Sequence, residues 1–222
     1  MNRLALVLTL ALTACGSSGG GAEQTAGGMV GVYEPTGAPI CFMILHQGHA
    51  FFDGGTGSNG EEPHPEYDLR PAAEAFTKAG CRVYALEMPP RPHDAGPLQI
   101  YYKPVVDLIG QIQEESGSPI YMAGFSGGGW TTTIAVSNDS RIVKGYSVDG
   151  DPVPCDPSEW EHMATCTDFP DIYASAGTRL MHINAAVGPS SDPNYKYVID
   201  PTTTAHTFSP WAVQYIIDDL GL

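Results

Sequence analysis

The chain has 222 residues, 25 acidic against 10 basic side chains, and a formal net charge of −15. That length suits one domain with a sizeable core. The acidic balance and the lack of any Lys/Arg cluster exclude a nucleic-acid surface or an anionic-membrane footprint. No internal repeat and no second composition regime divides the sequence.

The first residues read as an address. Arg3 precedes an apolar run over 4–12, too short to span a bilayer as a mature helix. The run ends in Leu12-Thr13-Ala14-Cys15. This tetrapeptide resembles the lipobox of bacterial lipoproteins. The resemblance implies that residues 1–14 are removed and that Cys15 carries the acyl chains. The protein would then sit in the bacterial cell envelope, on its periplasmic or extracellular face, held to the membrane by that anchor alone. Residues 15–28 are Gly/Ser/Ala-rich without apolar periodicity and read as a flexible tether. The folded domain is expected over 29–222.

Strand and helix patterns then alternate. Residues 29–33 (MVGVY) read as an early strand, and 40–45 (ICFMIL) as a strand buried on both faces. Leu69, Ala72, Ala73 and Phe76 fall at i, i+3, i+4 and i+7, which predicts a helix over about 69–79 capped by Gly80. Residues 82–86 are the next strand. Pro104 opens or kinks a helix whose stripe is Val105, Leu108, Ile109 and Ile112, stopped near Gly117. Residues 120–123 are a strand, 128–136 a helix, and 143–148, 180–185 and 195–199 three further strands. Ser209-Pro210 is a helix N-cap followed by proline at the first helical position, and Ala212, Ile216 and Leu220 give that closing helix its apolar stripe. The alternation predicts an α/β fold, a mostly parallel twisted sheet with helices on both faces and no large lid domain. Ligands of such sheets bind beyond the carboxyl ends of the strands.

Four cysteines follow Cys15, an even count that points to two disulfides in an exported protein. Of the three possible pairings, the favoured one joins Cys155 to Cys166 as a short loop clip and Cys41 to Cys81 at the starts of two neighbouring strands. No CxxC spacing supports zinc.

Gly124-Phe125-Ser126-Gly127-Gly128 is G-x-S-x-G, and it stands between a predicted strand and a predicted helix, the context in which the motif is informative. A serine at the tip of so sharp a turn projects into the cleft, and the turn demands small residues two before and two after it. The bland alternative is a capping serine on a glycine-rich turn. With this motif in this context, residues 29–222 resemble the α/β-hydrolases, in the size range of cutinase-like and small esterase members.

The resemblance implies a division of labour. Ser126 is the nucleophile. His206, after the last strand and before the last helix, is the base. Asp192, after the preceding strand, is the acid that orients the imidazole. Asp149 and Asp151, one strand earlier, are alternative acids. His46 and His49 compete for the base role but precede the serine. The oxyanion donors would be the Gly127 N–H and one from the His46-Gln47-Gly48-His49 loop, Gln47 first and His49 second. The His46/His49 pair lacks the glutamate and the helix of an HExxH zinc site, so no metal is expected, and no cofactor is needed. The implied activity is acyl-enzyme hydrolysis of a small-molecule or polymeric carboxylic ester. The reading from another class is a catalytically silent cell-surface binding module on the same fold. The sequence leaves acyl preference and oligomeric state open.

Overall fold

The computed structural model describes residues 21–25, 28–48, 68–87, 101–150, 171–184, 193–203 and 208–222. Cys15, His49, Asp151, Cys155, Cys166, Asp192 and His206 lie outside the described residues.

Among the described residues eight strands form one sheet: β1 (Gly21–Thr25), β2 (Gly28–Tyr33), β3 (Cys41–His46), β4 (Cys81–Leu86), β5 (Ile120–Phe125), β6 (Ile142–Val148), β7 (Leu180–Asn184) and β8 (Tyr197–Ile199). Their order is β1-β2-β4-β3-β5-β6-β7-β8. The pairs β1/β2 and β2/β4 are antiparallel, and every other pair is parallel. Helices are α1 (Arg70–Lys78), α2 (Lys103–Glu115), α3 (Gly127–Asn138), α4 (Ile172–Ala176) and α5 (Pro210–Leu220).

The core follows from the two-residue period of the strands. Phe42 and Ile44 of β3 face one cluster with Val105 and Ile109 of α2, Trp130 and Ile134 of α3, and Ile172 of α4. Met43 and Leu45 face the other, with Phe76 of α1 and Ile216 of α5. Both faces are therefore covered, which is why β3 reads as an unbroken apolar run. Each fully buried Leu, Ile or Phe side chain contributes roughly 1.5–3 kcal/mol.

The alternation of the central elements is as the sequence predicts. Three details differ. The segment read as a tether contains β1, whose backbone pairs with β2 from Gly21 opposite Val32 to Thr25 opposite Gly28. A hairpin edge needs only backbone partners, so GAEQT carries no apolar signature. The last strand is shorter than 195–199, because it pairs only with His182, Ile183 and Asn184 of β7. Helix α4, at five residues, is too short to show a period.

Cys41 and Cys81 are register partners on adjacent parallel strands and form a disulfide, with Cα atoms 4.5 Å apart. Both are buried at the amino ends of β3 and β4.

Candidate active site

Helix α3 does not form by propensity. It opens Gly127-Gly128-Gly129, and glycine costs about 1 kcal/mol relative to alanine at a helix interior position. Close approach of neighbouring atoms explains Gly128 and Gly129. A Cβ on Gly128 would lie 2.0 Å from the His46 carbonyl oxygen, and one on Gly129 would lie 2.8 Å from Ser147 Oγ. A Cβ on Gly124 would lie 2.0 Å from the Gly128 carbonyl oxygen and 2.5 Å from Thr132 Oγ1. Thr131, Thr132 and Thr133 donate their hydroxyls to the carbonyls of Gly127, Gly128 and Gly129 at 3.0, 2.9 and 3.2 Å, so their polar groups are satisfied although all three are buried. The strands and α3 thus meet backbone to backbone at one point, the carboxyl end of β5.

Ser126 stands at that point with φ 55° and ψ −121°. A non-glycine residue held there stores about 1–3 kcal/mol of strain, a cost kept where function needs it. The turn is fixed from two sides. Ser126 N–H donates to the Val148 carbonyl at 2.9 Å, and its own carbonyl accepts from Trp130 N–H at 3.1 Å. The side chain does not cap α3, so the capping-serine alternative does not describe this residue. The first-turn N–H groups of α3 have no intrahelical acceptor and face the serine with the positive end of the helix dipole.

The strand end beside the elbow is equally tight. A Cβ on Gly48 would sit 2.4 Å from the Gly127 nitrogen and 2.8 Å from its Cα. Gln47 is fully buried. Its N–H donates to the Leu86 carbonyl at 3.0 Å, and its side-chain oxygen accepts the Gly48 N–H at 2.5 Å. The expectation that Gln47 N–H serves the oxyanion hole is therefore corrected: the β3/β4 hydrogen-bond ladder continues one residue past the strand and consumes that donor.

Asp149 follows β6 directly and also has a left-handed backbone, φ 45°. Its N–H donates to the Ile183 carbonyl at 2.8 Å. It comes one residue after Val148, whose carbonyl holds Ser126. Asp149 is the alternative acid that the described residues include.

Two buried histidines are unsuited to proton transfer. Burial pushes the His46 imidazole down to about 4, against a smaller raising effect of the Gln47 backbone. Its Nδ1 has no hydrogen-bond partner among the described residues, and a Cβ on Gly128 would lie 3.0 Å from it. His46 is a neutral packing residue under α3. His182, on β7, is pushed down to about 3 by burial, opposed by the Gly150 backbone. Its ring stacks on Tyr195 with centroids 4.0 Å apart and meets the edge of Tyr173 at 5.7 Å. It is the register partner of Ser147, also buried. This pair is not legible in the sequence, since cross-strand neighbours carry no local spacing signal.

An eight-stranded sheet in this order, with a strained serine between the fifth strand and a buried helix, defines the α/β-hydrolase fold. Solved structures agree. Est1E from Butyrivibrio proteoclasticus matches with a TM-score of 0.58 and 15% identity, over 92% of this chain and 100% of that one. A glucuronoyl esterase from Solibacter usitatus matches with a TM-score of 0.62 and 10% identity, over 86% of this chain and 76% of that one. TT1662 from Thermus thermophilus matches at 0.54 and 15%, over 91% and 97%. No protein-family model and no curated protein matches the chain.

Proposed function

We propose that the protein is a serine hydrolase that cleaves carboxylic esters through an acyl-enzyme. The observation that carries the reading is Ser126, held at φ 55° between β5 and α3, with Gly124 and Gly128 packed too closely to admit a Cβ. The glucuronoyl esterase and several further matched structures are described as esterases, which supports an ester as the substrate bond.

In this reading His206 takes the Ser126 proton, and the alkoxide attacks the ester carbonyl. The tetrahedral oxyanion is met by the Gly127 N–H and by a second donor beyond Gly48, for which His49 is the remaining candidate of its loop. His206 then protonates the leaving alcohol. Water, activated by the same imidazole, releases the acid and restores the serine. Asp192 orients the imidazole. Asp149 is the alternative acid, favoured by its strained backbone beside the carbonyl that fixes Ser126.

The lipobox-like Leu12-Thr13-Ala14-Cys15 carries the second part of the proposal, a lipid anchor at Cys15 placing the domain in the cell envelope. Esterolysis is tested with p-nitrophenyl acetate and longer p-nitrophenyl esters. Turnover abolished by a fluorophosphonate and untouched by chelator is the expected result. No turnover of any ester by the folded chain, with no fluorophosphonate labelling, would return the weight to a silent binding module.

A further inference from the structure

Asp200 comes directly after β8 and is 4% exposed, and Ser209 caps α5 and is 3% exposed. One carboxylate oxygen of Asp200 accepts both the N–H and the hydroxyl of Thr202, each at 2.7 Å. The other accepts the Ser209 hydroxyl. Ser209 Oγ in turn accepts the Ala212 N–H at 3.0 Å, the capping bond of α5. The N–H of Asp200 itself donates to the Asn184 carbonyl, at the end of β7, at 2.9 Å.

A buried carboxylate without hydrogen bonds is costly. Burial pushes the Asp200 carboxyl up, but the bonds from Ser209, Thr202 and the Thr203 backbone outweigh it and leave it below the usual carboxylate value. The donors are two hydroxyls and two backbone N–H groups, so the arrangement is a clamp on the backbone rather than an ion pair. An N-cap alone would need only the Ser209 hydroxyl. The carboxylate adds something else: the chain leaves it at Thr202–Thr203 and comes back to it at Ser209. By sequence, His206 lies between.

We propose that Asp200 is a positioning residue of the hydrolase: bonded to Thr202 and Ser209, it holds both stems of the segment that carries His206. The inference rests on His206 being the base, as proposed above. A useful contrast is Asp219, near the other end of α5. It accepts from Tyr146 Oη at 2.6 Å and from Lys144 Nζ, tying the same helix to β6.

The test uses the full chain and compares wild type with Asp200→Asn, Ser209→Ala, Ser209→Thr, Asp219→Asn and the Asp200→Asn/Ser209→Ala double variant. It reads kcat and KM on p-nitrophenyl acetate, the fluorophosphonate labelling rate, and Tm. Misplacing a catalytic group by about 1 Å costs on the order of 100-fold. Asp200→Asn and Ser209→Ala should each lower kcat and labelling by roughly 10–100-fold with KM little changed. The double variant should fall no further than the worse single, because both break one clamp. Ser209→Thr, which keeps the hydroxyl, should retain most of the rate. Asp219→Asn should lower Tm while labelling at the wild-type rate. If Asp200→Asn does not fold, Ser209→Ala against Ser209→Thr decides. Folded clamp variants that label as fast as wild type overturn the proposal alone, as does a rate loss in Asp219→Asn equal to theirs. A wild-type protein that never labels overturns the hydrolase reading and the clamp with it.

Discussion

Gly48 and Gly127 lie so close that a Cβ on the first would sit 2.4 Å from the nitrogen of the second. The end of β3 is thereby pressed against the residue whose N–H is the proposed oxyanion donor. Gly48→Ala forces backbone, not a flexible side chain, to move. A catalytic rate loss of about 100-fold or more is expected, with the fold retained because only the strand end must shift. Ester turnover together with circular dichroism checks this. Unchanged turnover would show that the elbow tolerates displacement.

Gly124→Ala and Gly128→Ala should act differently. Each places a Cβ 2.0 Å from a carbonyl oxygen in the middle of the β5/α3/β3 contact. Overpacking of this kind costs about 1–3 kcal/mol or more, so these variants should lower Tm as well as activity. Thermal melts of the two variants beside Gly48→Ala separate the cases.

The Cys41–Cys81 disulfide sits at the amino ends of its strands, whereas Ser126 follows the carboxyl end of β5. The bond closes a loop with a sequence separation of 40. Replacing both cysteines by alanine should cost roughly 3–5 kcal/mol and leave the labelling rate unchanged below the new Tm. A labelling defect at full folding would mean that the two ends of the sheet are coupled.

Acid should unfold the protein in a defined window. His46 and His182 drop from an ordinary 6.5 to about 4 and about 3 on burial. Below about 6.5 the unfolded chain takes up protons that the folded chain refuses. Stability is thus fully present above that pH and drains as pH falls toward 4, by about 1.4 kcal/mol per pH unit for each histidine. His182→Phe, whose ring can keep the stack on Tyr195, should roughly halve that slope. A Tm unchanged from pH 8 to pH 4 would contradict the burial of neutral imidazoles.

Much of the fold is legible in the sequence because the central strands are buried on both faces. ICFMIL can be little else, and the stripes of α1 and α2 are regular. Ser209-Pro210 announces α5, and G-x-S-x-G between strand and helix announces the elbow. What escapes is whatever depends on a partner far along the chain. Whether Gln47 N–H is spent depends on Leu86 lying opposite. The left-handed backbone of Asp149 depends on the Ile183 carbonyl. The carboxylate behind the Ser209 cap stands nine residues earlier, at a spacing no helix or strand period picks out.

The choice of acid is open to a direct comparison. Removing the triad carboxylate costs about 10⁴-fold in kcat. Asp192→Asn should show a loss of that order and Asp149→Asn a smaller one, both measured on the folded chain with one ester. The reverse ranking would move the acid to the end of β6.

The central claim is that Ser126 is an activated nucleophile. Its most direct test is a fluorophosphonate reaction on the full chain, followed by peptide mapping of the adduct. The account predicts one adduct per chain, on the peptide containing Ser126, absent in Ser126→Ala and strongly slowed in His206→Ala. A folded wild-type chain that stays unlabelled, or an adduct on any other residue, would contradict it.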